Sequence, residues 1–344
     1  MPRVLKYFAI TFAVIIGLIG LVIAYLSLVF DPNQFKTQII QTVEQKQQRH
    51  LSINGNIGLR FFPKLGVELE SVALSEFQST KEFASLSRAR VSLAFLPLLQ
   101  KQIVIDKVTL HDLKLRYERD ADGKSNIDDL IAGKQSEPKE AQTTNTNATK
   151  SPVLFEIEGI DIKNAQIGIK DDKAKIQGQI ASFNLNTGKL SNHSNTPFKL
   201  DTHLQLAQPK LDAQLQISSE VQLSLADANY ALKNLKLELQ AQLEKEVAKL
   251  TITSPKIGKN AETWFTDGVE IQASMNDVKA STELTLKANT GKLLGDKTQL
   301  KLEQLQLNLQ QQKGKATSSF SVSSPMMFDT AQSLFEFKGF KINA

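Results

Sequence analysis

Residues 198–225 read FKLDTHLQLAQPKLDAQLQISSEVQLSL. Phe198, Leu200, Thr202, Leu204 and Leu206 occupy every second position, and Leu211, Ala213, Leu215, Ile217, Val221, Leu223 and Leu225 repeat the pattern. Successive side chains of a strand point to opposite faces, so this spacing predicts a sheet with one apolar and one wet face. One wet face argues for antiparallel pairing, because parallel sheets are buried on both sides.

The same writing continues on both sides. Downstream lie Leu235, Leu237, Leu239, Ala241 and Leu243, then Val269, Ile271 and Ala273, then Leu284 and Leu286. Leu300, Leu302, Leu305, Leu307 and Leu309 follow with one slip. The Leu, Lys, Glu and Gln of 235–243 have helix propensity, but strict alternation would smear apolar residues around a helix, so a strand is expected. No exact repeat is visible.

Upstream, Leu51 and Ile53, then Ile57, Leu59 and Phe61, alternate around Asn54-Gly55-Asn56, which predicts a turn or bulge. Val67 to Leu74, Ala89 to Phe95 and Ile103 to Leu110 follow as strands. At His111-Asp112 the phase slips by one residue before Leu113, Leu115 and Tyr117. Phe35, Ile39, Ile40 and Val43 recur at helical spacing after Asp31-Pro32, a capping pair, so a short helix ends near Arg49. It either covers one end of the sheet or lies near a membrane surface.

Tyr7–Phe30 holds 24 residues without a charge. At about 1.5 Å per residue the helix is roughly 36 Å long, enough to span a bilayer core of about 30 Å. The run exceeds the apolar part of a secretory signal and lacks a small-residue cleavage site, which favours an uncleaved anchor. Arg3 and Lys6 precede it and Asp31 follows, so residues 1–6 stay in the cytoplasm and the rest lies beyond the membrane. Segment 132–152 has no aromatic or large aliphatic residue after Ala132 and is expected to be a flexible linker. It divides a 31–131 region from the alternating strands of 153–344.

Composition excludes several chemistries. There is no cysteine, hence no disulfide and no thiolate. The net charge of +5 is scattered among carboxylates, which reads as a solvated face and not as a nucleic-acid surface. The four histidines share no metal-ligand spacing, and neither a nucleophile elbow nor a phosphate loop occurs. Glu118, Asp120, Asp122 and Asp129 fall at calcium-loop places 1, 3, 5 and 12 around Gly123. Ser125 stands where that loop needs an apolar residue, so an Asp-Gly turn is the preferred reading. No catalytic residue, cofactor or metal is assigned, and the chain is not expected to be an enzyme.

A sheet with one apolar face must pack it against a second sheet, close into a barrel, or curl it into a groove. Periodicity leaves sandwich and groove equal. A groove of medium aliphatic side chains suits acyl chains: at about 0.8 kcal/mol per methylene, two 16-carbon chains cost on the order of 25 kcal/mol to expose to water. Its candidate lining is Leu200, Leu204, Leu206, Leu215, Ile217, Leu223, Leu235, Leu237 and Leu239. The predicted fold is therefore mainly β: a transmembrane helix, then an elongated, curled antiparallel sheet with few short helices.

Several ordered motifs carry a family resemblance. The anchor runs into Phe30-Asp31-Pro32-Asn33 and Phe35-Lys36. Leu51 to Leu59, Phe62-Pro63 to Leu69, and Leu96-Pro97-Leu98-Leu99 follow, and Arg119 to Leu130 closes the set. In these the chain resembles the AsmA family of bacterial envelope proteins. Ile160 to Thr187-Gly188 looks like the family's next strand block, and beyond about residue 195 only the patterning matches. The resemblance implies a single-pass inner-membrane protein with a periplasmic body and a role in outer-membrane biogenesis. Its implied partner is phospholipid, conducted along the groove; the alternative is a scaffold for outer-membrane protein assembly. Family members usually continue past the length seen here, so the chain is read as either a short member or an incomplete one.

Overall fold

The computed structural model describes residues 31–60, 65–93, 105–132, 156–191, 194–224, 227–277, 280–329, 333–337 and 339–344. The predicted anchor, Tyr7–Phe30, lies outside them, as do Phe61 to Pro63, Leu96 to Leu99 and most of the linker. Among the described residues no helix is long and apolar enough to cross a membrane.

Asp31 caps a 3-10 turn, Pro32–Phe35, by accepting from Asn33 N, and the turn runs into α1, Lys36–Gln47. Strands β1 (Leu51–Ile53) and β2 (Ile57–Arg60) lie end to end against β3 (Leu65–Ser75), with β4 (Glu82–Leu93) next. Backbone bonds continue across the break between β1 and β2, with Gly55 N donating to the Glu70 carbonyl at 3.1 Å, and glycine is required there because a Cβ would stand 2.5 Å from that oxygen. Strands β5 (Ile105–His111) and β6 (Lys114–Arg119) are likewise collinear, with Asp112 at φ +52° between them, which is the slip seen in the sequence.

Both pair in parallel with β8 (Gly159–Asp171), the one departure from an antiparallel plan. Parallel neighbours need a long crossover. The stretch through α2 (Asp128–Ala132) and the linker supplies it, so the linker joins strands of one sheet. From β8 the chain meanders through β9 (Ile176–Thr187), β11 (Ser194–Gln208), β12 (Leu211–Ser224), β13 (Asn229–Leu243) and β14 (Glu246–Asn260). Collinear β15 (Thr263–Thr266) and β16 (Val269–Asp277) follow, then β17 (Thr282–Thr290) and β18 (Leu293–Gly295). The last strands are β19 (Gln299–Lys313), β20 (Ala316–Asp329), β21 (Leu334–Phe337) and β22 (Lys341–Asn343).

Among the described residues twenty strands form this one sheet, and β7 (Glu156–Ile157) pairs with β10 (Leu190–Ser191) separately. Counting collinear strands together, the sheet has fifteen rungs. At about 4.8 Å per rung it is roughly 67 Å wide. Among the described residues it does not close into a barrel: β1 and β2 form one edge, β21 and β22 the other, and the edges do not pair.

The first edge is blunted. Asn33 Oδ1 accepts from Ile57 N at 2.9 Å, and Lys36 Nζ donates to the Gly55 carbonyl at 2.6 Å. These side chains occupy backbone groups that another strand would otherwise seek. One buried cation fastens α1 from its other end. Arg49 is 1% exposed and forks onto Asp129, Nε to Oδ2 at 2.8 Å and Nη2 to Oδ1 at 2.7 Å. Its remaining donors meet the Ser75 and Asn126 carbonyls, and the guanidinium lies 4.6 Å from the Phe83 ring centre. Asp129 is thus the partner of Arg49 and not the twelfth ligand of a calcium loop. The preceding residues form the expected turn, with Asp120 N donating to the Lys124 carbonyl and Gly123 at φ +94°.

Arg49→Met leaves a part-buried carboxylate unpaired and is expected to cost about 3–5 kcal/mol, read by urea unfolding of the full chain; a loss under about 1 kcal/mol would mean the clamp is dispensable. The hydrogen bond from Arg49 holds the Asp129 carboxyl below its ordinary range, with burial pulling the other way. A carboxyl depressed in the fold contributes stability above its unfolded value, near pH 4, and loses it as pH falls toward the folded value. Unfolding free energy is therefore expected to drop below about pH 4 in the wild type and to drop less in Arg49→Met.

Candidate functional site: an aliphatic row across the sheet

Cross-strand partners share a face, so the register shows what that face carries. One transverse row runs Ile57, Leu69, Ala89, Leu110, Ile162, Leu185, Leu200, Ile217, Leu237, Ile252, Ile271, Ala288, Leu307, Val322, Ile342. It crosses all fifteen rungs without a polar residue. The adjacent row on the opposite face reads Asn184, Asp201, Gln216, Glu238, Thr251, Gln272, Lys287, Asn308, Ser321, Asn343.

The nine candidate residues all lie on the apolar face. Leu200, Ile217 and Leu237 are in the unbroken row; Leu215 and Leu239 are in the next row, and Leu204 and Leu206 lie beyond it. Leu235 and Leu223 share that face and flank the row from its other side. Each of the nine is half-buried. A sandwich core buries its large aliphatics outright, yet among the described residues only Ile53, Ile57 and Leu302 are buried; the other buried apolar residues are five alanines. The row is sheltered by its cross-strand neighbours, and among the described residues no second sheet covers it. Two concavities of about 530 and 560 Å³ are lined mainly by the other face, by Arg116, Glu118 and Gln205 in one and Lys163, Lys199 and Glu238 in the other.

A crease runs beside the row. There the apolar positions of β13, β14, β16–β15, β17–β18 and β19 step by three residues, Leu235 to Leu232, Ser254 to Ile257, Val269 to Thr266, Thr290 to Leu293 and Leu305 to Leu302. Those of β12 and β20 step by two. Five neighbouring rungs thus hold one extra residue at the same place, and the apolar face stays on one side throughout. Pro255 and Pro325 stand in the crease, where no ladder N–H is required.

Along the crease, hydroxyls alternate with apolar residues from rung to rung: Thr187, Phe198, Ser219, Leu235, Ser254, Val269, Thr290, Leu305, Ser324. The hydroxyls serve backbone groups that the crease leaves over. Ser219 donates to the Lys233 carbonyl, Ser254 to the Gly268 carbonyl at 2.6 Å and Ser324 to the Pro325 carbonyl; Thr290 accepts from Val269 N. Ser219, Ser254, Thr290 and Ser324 are 35, 36 and 34 residues apart. This is a hairpin repeat that sequence reading missed, because only the hydroxyl and the alternation recur. The signal was present as Ser-Ser, Ser-Pro, Thr-Gly and Ser-Pro at near-constant intervals.

At the His111-Asp112 slip, Asp112 accepts from Ser87 Oγ at 2.6 Å and Asn164 Nδ2 at 3.0 Å, which hold its carboxyl below the ordinary range. These bonds splice β4, β5 and β8 where the ladder is interrupted.

A profile of the AsmA family matches residues 1–324. The chain belongs to the AsmA family. The match takes in the strands beyond residue 195, where sequence reading found patterning alone. Comparisons with curated proteins and with solved structures gave no match. For this AsmA-family chain the aliphatic row is the candidate site, and among the described residues it offers apolar area without a polar position.

Ser254→Val removes the 2.6 Å bond from a side chain 2% exposed and leaves the half-buried Gly268 carbonyl only Thr266 Oγ1, at 3.0 Å. The expected cost is about 0.5–1.5 kcal/mol, measured by urea unfolding. A change below about 0.5 kcal/mol, the range of an ordinary surface substitution, would show that the crease does not depend on its hydroxyls.

Proposed function

We propose that this chain handles phospholipid without catalysis, carrying acyl chains along the aliphatic row in the bacterial periplasm, with Tyr7–Phe30 fixing it in the inner membrane. The observation that carries this reading is the unbroken row from Ile57 to Ile342, half-exposed at most of its rungs. A polar rung anywhere would interrupt the path, and exposing two acyl chains to water costs on the order of 25 kcal/mol. The start of the row supports the direction. Asn33 holds Ile57, and only Asp31 and Pro32 separate Asn33 from the end of the apolar run. Three residues span at most about 11 Å, so the first rung stands close to the proposed bilayer. A scaffold with its apolar face packed inside fits the half-exposed leucines less well.

The test is a photocrosslinking amino acid placed singly in the full chain in cells. Leu237 and Leu307 on the row are expected to yield phospholipid adducts, and Glu238 on the opposite face is not. Leu237→Asp puts a charge in the path and is expected to lower adducts at Leu307 by roughly tenfold. Protein adducts in place of lipid at both row positions would reject the conduit in favour of the scaffold for outer-membrane protein assembly.

A further inference from the structure

Beyond the crease the apolar face ends at a rim of different chemistry. On three successive rungs Tyr230, Lys259 and Trp264 are direct cross-strand partners. Leu223, opposite Tyr230, lies on regular β12 with Ile217, so the rim shares the face of the aliphatic row. Tyr230 is 42% and Trp264 50% exposed, and Lys259 Nζ lies 5.7 Å from the Trp264 ring centre. The next rung carries Gly295, which leaves the far flank of the indole without a facing side chain. Among the described residues no carboxylate pairs with Lys259. Just inward of the rim lie Leu232 and Ile257.

We propose that Tyr230, Lys259 and Trp264 form a headgroup site that takes the phosphate of an anionic phospholipid whose chains lie over the apolar face. Two amphipathic aromatics flanking a cation, above aliphatic side chains, match the layering of a lipid interface, where such rings sit at headgroup depth. Lysine serves a phosphate as a point charge and needs no bidentate geometry. The cation–π contact steers the ammonium while leaving its donors free. This rests on the lipid-carrying reading above, and adds a place where a moving lipid is held by its head.

Trp264 is the only tryptophan of the chain, so its fluorescence reports this rim alone. Full chain held in amphipol is titrated with phosphatidylglycerol brominated either high or deep in its acyl chains. Quenching is expected to be stronger with the shallow label. Lys259→Glu is expected to weaken apparent binding about tenfold, with the lipid adducts at Leu237 retained. Quenching that Lys259→Glu leaves unchanged, or that phosphatidylcholine reproduces equally, would overturn the headgroup site. Inorganic phosphate that shifts the fluorescence and displaces the lipid would make this a free-anion site instead. Loss of lipid adducts at Leu237 in the wild type would fail the conduit reading itself, an outcome separable from a failed rim.

Discussion

The structure depends on register. Side chains alternate with period two, so a single unmatched residue in one strand turns its apolar set to the wrong face. The sheet keeps fifteen rungs in phase although it is creased, because five neighbouring rungs take the same extra residue at the same level. The ladder bonds lost there pass to Ser219, Ser254, Thr290 and Ser324, and the prolines stand where no donor is needed. Breaking phase in one rung would put a lysine or glutamine into the aliphatic row.

Stability and function draw on that face differently. A compact domain buries its leucines and gains most of its stability from doing so. Here the leucines stay half-buried, and the sheet relies on strand-to-strand neighbours, as repeat architectures do. The two ends need other devices. At the first edge Asn33 and Lys36 occupy the free backbone groups, and Arg49 ties α1 to the segment before the linker. The last edge has no such covering among the described residues, and Phe335, Phe337 and Ile342 are exposed there.

Much of this was legible in the sequence. Alternation located most of the strands, including Leu235–Leu243, whose composition favours a helix, but not β14, β20 or the short strands of the last edge. The slips at His111-Asp112 and Leu302-Leu305 appear as the β5–β6 break and as one limb of the crease. Periodicity could not separate sandwich from groove, because it reports which residues share a face and not what covers them. It also could not find the parallel pairing of β5 and β6 with β8, since a linker's length does not say where the chain returns. The rim stayed hidden for a related reason: Tyr230, Lys259 and Trp264 are remote in sequence and meet only through the pairing of β13, β14 and β15.

The recurring hairpin makes length a countable property. Each unit of about 35 residues adds two rungs, or roughly 10 Å. Its two joints are alike, because each presents the same aliphatic row and the same hydroxyl to the next strand. Duplicating or excising one whole unit therefore changes reach without redesigning either end, whereas gaining or losing half a unit reverses the direction of the chain. A protein built this way adjusts its span in fixed increments, as a ladder does.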